Sequence, residues 1–183
     1  MHIPYKIIIL RYGIALLAIA SLSAQDGSSK YSYDAGVSVL SAVRGGVGFG
    51  PSFTAERTLT DKQRLRGTLE YVRFSGGNDS FGIGKNERLT DNLSVEADWV
   101  YSFNSNDSGI FVLGGIRAMN NTWELNLINQ GGYLYSSSHS QFTHAMVVGG
   151  GIRVRGREIG YKHFIYPPGD RSILRPIGVL RLF

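Results

Sequence analysis

Residues Leu93–Phe103 read LSVEADWVYSF and alternate between apolar and polar side chains. Every second position from Leu93 onward is apolar, and the positions between are polar or charged apart from Val100. Because successive side chains of a strand point to opposite faces, this alternation predicts a strand with one apolar and one polar face. About ten residues of such alternation are also typical of a strand that crosses a membrane within a closed barrel.

Seven further segments carry weaker forms of this pattern, and no stretch keeps a helical period. In the third segment, for example, Leu65 and Leu69 oppose Arg66 and Glu70. The eight predicted strands cover residues 33–43, 47–59, 64–74, 89–103, 109–119, 142–154, 157–166 and 172–183.

The connections between these segments alternate in length. Those at 59–63, 104–108 and 155–157 are short, whereas 75–88 and 120–141 are long. The breaks at 44–46 and 167–171 should lie on the same side as the long ones, although they are themselves short. Outer-membrane barrels show this alternation because their periplasmic turns are short and their extracellular loops longer. The sequence therefore predicts an all-β fold: a closed antiparallel up-and-down transmembrane β-barrel of about eight strands, preceded by a cleaved signal peptide.

The signal peptide is predicted from the first residues, MHIPYKIIILRYGIALLAIASLSA. Lys6 and Arg11 precede an apolar core that ends in small residues, as in secretory signals. A transmembrane anchor is the alternative, but Arg11 leaves too few apolar residues on either side for a spanning helix. We expect cleavage after Ala24, with Ser23 as the rival position, so that residues 1–24 are the signal and 25–183 the barrel domain.

Composition excludes several classes of protein. The chain has no cysteine, so it holds no disulfide framework and no thiolate metal site. The formal net charge of +5 comes without a basic stripe or stacking motif, and we expect no nucleic-acid partner. No cofactor motif is present either, since the long 75–88 segment lacks phosphate-binding spacing.

These patterns, the signal and the terminal Phe183 resemble the small outer-membrane barrels of the protein A and protein X type, over essentially the whole mature chain. The resemblance implies an outer-membrane location, lipid contacts and recognition of Phe183 by the barrel-insertion machinery. It also implies that Ile173, Ile177 and Val179 share a face with Phe183.

Two arginines break that C-terminal face. Arg175 and Arg181 fall on it, and Pro176 cannot donate to the strand ladder. Either the strand is shifted near its end or the arginines extend to the membrane interfaces.

The polar faces should meet in the lumen. Acidic residues lie mainly on early strands and basic residues on later ones, so they would face each other in a closed barrel. The expected network comprises Glu56, Arg66, Glu70, Glu96, Asp98, Arg117 and Arg153, with Lys162 as a further candidate. A gate or a catalytic carboxylate pair is one interpretation, but a packed, charge-paired interior is favoured because eight-stranded barrels are just filled by side chains.

The long 120–141 segment contains apolar residues that alternate on both sides of a turn-forming stretch at Asn129–Gly132. This predicts that two barrel strands continue outward as a hairpin. Its apolar residues either bind an extracellular protein, for instance by strand addition, or form the outer aromatic girdle. They are Trp123, Leu125, Tyr133 and Tyr135.

The histidines give little support for chemistry. His163 resembles the histidine of lipid A deacylases, which are also barrels and carry a nucleophilic serine two positions after that histidine. In this sequence the corresponding position is Ile165, so the nucleophile is missing. His139 and His144 have no nearby cysteine or acidic ligand, so no metal site is predicted.

The favoured function is a non-enzymatic outer-membrane barrel with a structural or surface-interaction role. One alternative is a lipid A-modifying acyl hydrolase on the same barrel. Another is a soluble, lipocalin-like binder of an apolar ligand, in which the apolar faces would point inward.

Overall fold

The computed structural model describes residues 30–42, 46–75, 79–80, 85–104, 108–128, 134–155, 157–168 and 176–182. The predicted signal peptide, Tyr133, Ile173, Arg175 and Phe183 lie outside these residues. The described chain forms nine strands: β1 (Tyr31–Ala42), β2 (Val47–Thr60), β3 (Gln63–Ser75), β4 (Asp79–Ser80), β5 (Lys85–Ser102), β6 (Gly109–Ile128), β7 (Leu134–Val154), β8 (Arg157–Ile165) and β9 (Pro176–Leu182).

Eight of these strands close into an antiparallel barrel. Sequence neighbours pair in order, β3 pairs with β5, and β9 pairs with β1, while β4 pairs only with β5 in the described chain. The shear of the barrel follows from the pairing register. A path through register partners that starts at Tyr31 and passes once around the barrel returns to β1 at Ser41, ten residues further along. With about 3.3 Å per residue and about 4.8 Å between strands, this displacement gives a tilt of about 40°.

The two faces of the wall differ in polarity. Large apolar side chains such as Trp99, Ile116 and Met146 are exposed on the outside, while the buried inward positions hold most of the charged residues. This is the arrangement of a membrane barrel, and it is the reverse of a soluble binder with an apolar lumen. Val100, the exception in the opening alternation, is fully buried inside.

The outer apolar surface has the height of a bilayer core. On β5 it runs from Leu93 to Phe103, ten residue steps, which at the wall's tilt span about 25 Å along the barrel axis. We call the end of the wall that carries the short turns the turn end and the opposite one the loop end. Exposed aromatic side chains occur toward both, with Tyr33, Trp99 and Phe103 near the turn end and Phe49, Tyr71 and Phe142 near the loop end.

The C-terminal strand β9 corrects one prediction. Val179 does not share an outer face with Ile177; it is fully buried in the lumen, and Arg181 is buried beside it. Leu180 and Leu182 face outward instead. The register of β9 against β1 shifts between Ser41 and Ala42, which moves the later residues of β9 to the opposite faces.

The predicted outward hairpin over residues 120–141 is present. β6 extends to Ile128 and β7 begins at Leu134, and the two strands stay paired up to these residues. β5 also begins earlier, at Lys85, and pairs with this extension up to Leu127. The upper parts of β5, β6 and β7, with the short strand β4 along β5, therefore form a sheet that rises beyond the other strands.

Within the described residues, no helix has the length and apolar character required to cross a membrane.

Candidate functional site

The lumen holds two clusters of buried charges. The cluster near the turn end contains two carboxylates and three guanidinium groups, from Glu56, Glu158, Arg64, Arg66 and Arg153. Arg64 Nη1 lies 2.8 Å from Glu56 Oε2, and Arg66 Nη2 donates to Glu158 Oε2 at 2.7 Å. Arg153 bridges both carboxylates at 3.1 and 2.9 Å and is the most exposed of the five.

The central cluster pairs three carboxylates with three cations across the barrel. Glu96 occupies its middle, because it contacts Lys162, lies 3.2 Å from Arg117 Nη1 and accepts from Arg181 Nη1 at 2.8 Å. Asp98 is bonded to Lys162. The six members are Glu70, Glu96, Asp98, Arg117, Lys162 and Arg181.

Opposite charges meet at this level because strands distant in sequence become neighbours across a narrow barrel. Glu70 on β3, for instance, accepts from Arg181 on β9 at 3.1 Å. Burial of a charge is tolerated chiefly when it is paired and hydrogen-bonded, as these residues are. Their chemical capacity is therefore structural: the carboxylates are engaged by cations that hold them in place.

An apolar layer separates the central cluster from the loop end. Three of its members each follow a cluster member by two positions on the same strand: Val72 after Glu70, Met119 after Arg117, and Phe164 after Lys162. The guanidinium of Arg117 lies over the Phe164 ring at 4.6 Å. Above this layer the Tyr166 hydroxyl donates to the Pro176 carbonyl oxygen at 2.6 Å.

The structure brings every predicted lumen residue to the interior and adds three. Arg64 and Glu158 were missed although they have the same parity as Arg66 and Lys162 on their strands, so the signal was present in the sequence. Arg181 could not be found by parity, because the register shift in β9 reverses it.

The inner face of the protruding sheet contains an aromatic pair. Trp123 on β6 and His139 on β7 are register partners, and their rings stack with centroids 6.0 Å apart. His139 Nε2 is also 2.9 Å from Ser137 Oγ. Tyr135 is 62% exposed, whereas Leu125 is described only by its backbone.

The histidines weighed in the sequence analysis form no catalytic arrangement among the described residues. His163 points outward from β8, and its register partners are Val148 and Gly178, neither of which carries a nucleophile. Ser137 and His139 are bonded to each other, but no described carboxylate is bonded to His139 to orient it as a base. No cluster of metal-ligating side chains occurs among the residues searched, which are the described ones.

The fold is similar to that of Ail, the attachment invasion locus protein of Yersinia pestis. The two chains share 14% sequence identity with a TM-score of 0.55, over 83% of this chain and 93% of that chain. A structure of Ail in complex with the heparin analogue sucrose octasulfate matches equally, with 14% identity and a TM-score of 0.54 over 83% of this chain and 94% of that chain. No family model and no curated protein sequence matches this chain.

This likeness and the distribution of side chains agree on the architecture. The chain is a transmembrane β-barrel of the bacterial outer membrane. Its apolar wall faces lipid, its charged lumen is filled, and its short turns mark the periplasmic end. The sheet formed by β5, β6 and β7 therefore projects outside the cell.

Proposed function

We propose that this barrel is a non-catalytic surface-interaction protein that binds an extracellular polypeptide by strand addition to its protruding sheet. The observation that carries the proposal is the unequal pairing of β7. Along one side β7 pairs with β6 from Leu134 onward, but along the other its pairing with β8 begins only at Met146.

The upper edge of β7 is suited to receive a further strand. Over residues 134–141 no described strand pairs with its second side. A row of open backbone N–H and C=O groups binds an extended peptide with main-chain hydrogen bonds, as in other cases of strand addition. On one face of this edge, Ser136, Ser138 and Ser140 are small and polar, so they leave room for an incoming backbone.

The β6 side of the hairpin keeps this edge in shape. The Trp123–His139 stack and the hydrogen bond from Ser140 Oγ to Asn120 Oδ1, at 3.2 Å, join the two strands on opposite faces. A preorganised edge lowers the ordering cost of binding. The exposed Tyr135 adds an aromatic contact near the tip.

A polypeptide is favoured over a sulfated sugar, although Ail was crystallised with the heparin analogue sucrose octasulfate. Sulfate groups require clustered cations. The described outward positions near the loop end carry charges of both signs, Arg73 beside its register partner Asp91 and Glu124 on β6.

The proposal excludes catalysis and conduction. Ser137 and His139 lack an orienting carboxylate among the described residues, so we expect no labelling by a fluorophosphonate probe, in the native protein or in a Ser137→Ala variant.

The apolar layer around Phe164 closes the lumen, so we expect no ion current in planar bilayers.

The test uses dodecapeptides selected from a random display library against the whole protein in nanodiscs. A photo-crosslinking residue placed at Ser138 on the edge strand should capture the selected peptides, whereas the same residue at Thr122 on central β6 should not. Methylation of successive peptide N–H groups should weaken binding at every second position only, because alternate groups of a strand face the same neighbour.

Equal capture from Ser138 and Thr122, or methylation that weakens binding without a period of two, would refute strand addition. Probe labelling of Ser137 would instead favour the hydrolase.

A further inference from the structure

A groove lies on the lipid-facing wall at the turn end, across β7, β8 and β9. Its volume is about 270 Å³. Ile152, Val154, Ile159 and Leu182 give it an apolar lining. Its polar lining residues are Arg157 and Glu158, and the Glu158 carboxylate is already paired with Arg66 and Arg153 in the lumen. A recess in a wall that is otherwise covered by protruding side chains gives an acyl chain more contact than the open surface does.

Two basic side chains lie where this groove meets the membrane surface. Arg155 lies in the tight turn between β7 and β8, Arg157 begins β8, and both are exposed. Arg155 adopts a φ of 50°, in the left-handed region that favours Gly or Asn over a long side chain. A two-residue hairpin turn requires such a φ at its first position, and here it places the charge of Arg155 at the tip of the turn.

The turn end as a whole matches an anionic surface. Its exposed charges are mostly basic, with Lys30, Arg57 and Lys62 besides the two arginines at the groove, against a single exposed acid, Asp61, among the described residues. This end faces the periplasmic leaflet of the outer membrane, where lipid phosphates lie just beyond the apolar band.

The groove and the two arginines lie together at the turn end of the wall. From this arrangement we infer a specific binding site for an anionic glycerophospholipid of the periplasmic leaflet. One acyl chain lies along Ile152, Val154 and Ile159, and the phosphate is held between Arg155 and Arg157. Two guanidinium groups at one turn offer the paired donors that phosphate oxygens accept.

The experiment measures phosphatidylglycerol that stays bound when the folded protein is released from mixed phosphatidylethanolamine and phosphatidylglycerol nanodiscs, by native mass spectrometry. Replacing both cations, Arg155→Gln with Arg157→Gln, should reduce the bound fraction about tenfold. The matched control, Arg57→Gln with Lys62→Gln, removes the same charge from the same end but away from the groove. It should leave the bound fraction within about twofold.

A second pair of variants tests the apolar part. Val154→Trp fills the groove and should displace the lipid, whereas Leu65→Trp enlarges an outward residue on the opposite side of the wall and should not. Gel migration before and after boiling verifies that each variant is folded.

An equal loss of bound phosphatidylglycerol in the two charge variants would mean that the basic residues of the turn end attract the lipid without a specific site. This result would overturn the inference. So would retention of lipopolysaccharide in place of phosphatidylglycerol in nanodiscs that contain both, because this would place the groove in the other leaflet.

Discussion

Strands β6 and β7 belong to two regions of the molecule that follow different rules. Between the turn end and about the level of Met119 and Ala145, both strands are part of the closed wall. There each strand pairs with a neighbour on both sides, faces lipid on the outside and packs against buried charges on the inside. Above that level they form the protruding hairpin, where polar residues occupy both faces and one edge of β7 has no described partner strand.

The difference shows what each region depends on. In the wall every strand is needed for closure, and the lumen tolerates its charges only because they meet partners from other strands. In the hairpin the stabilising contacts are local, between adjacent strands. We therefore expect substitutions in the lumen to destabilise the whole barrel and changes in the hairpin to affect binding alone.

The largest effect is expected from Glu96→Leu. This change removes the carboxylate that contacts Arg117, Lys162 and Arg181, and it leaves three buried cations facing two acids. The free energy of unfolding should fall by about 3–5 kcal/mol, measured by urea titration in lipid vesicles. Val95→Leu, at the neighbouring lipid-facing position, should change it by less than about 1 kcal/mol. Similar values for the two would mean that the charge network contributes little.

The bond between Asp98 and Lys162 permits a sharper measurement of the lumen. Lys162→Met alone leaves Asp98 buried without its cation and should cost about 2–4 kcal/mol. Adding Asp98→Asn should restore part of that loss, with a coupling of about 1–3 kcal/mol in a double-mutant cycle. Additive single and double variants would contradict pairing at this site.

Packing of the wall is tested by two glycines. A Cβ atom on Gly151 would clash with the backbone oxygen of Ile159 and lie 2.7 Å from the Phe111 ring. The nearest atom to a Cβ on Gly114 would be the Val147 backbone oxygen, at 3.9 Å, which is an ordinary contact. Gly151→Ala should lower the unfolding free energy by about 1–3 kcal/mol, and Gly114→Ala should leave it within about 0.5 kcal/mol. Equal tolerance of both changes would contradict the close strand approach at Gly151.

The smallest effect on stability is expected from shortening the hairpin. Replacing residues 124–138 with an Asn-Gly turn removes most of the open edge, residues 134–138, but no lumen residue. The unfolding free energy should change by less than about 1 kcal/mol, and the shift in gel mobility on boiling should persist. Peptide capture should be lost. Collapse of the barrel would show instead that hairpin and wall fold as one unit.

The wall was the most predictable part, because alternation within single strands, as in Leu93–Phe103, depends only on the two-residue period of a strand. Inward charges such as Glu70 and Arg117 follow from the same parity. The face of β9 could not be predicted, since Val179 and Arg181 change sides at an irregularity in pairing with β1.

The sequence by itself determined an all-β chain whose strands have one apolar and one charged face. In a bilayer such strands must form a closed barrel, because every backbone polar group needs a hydrogen-bond partner. The tertiary structure decided which charges meet, how far β6 and β7 extend past their neighbours, and where the periplasmic groove lies. These features depend on register between strands that are distant along the chain, and a local period carries no information about that register.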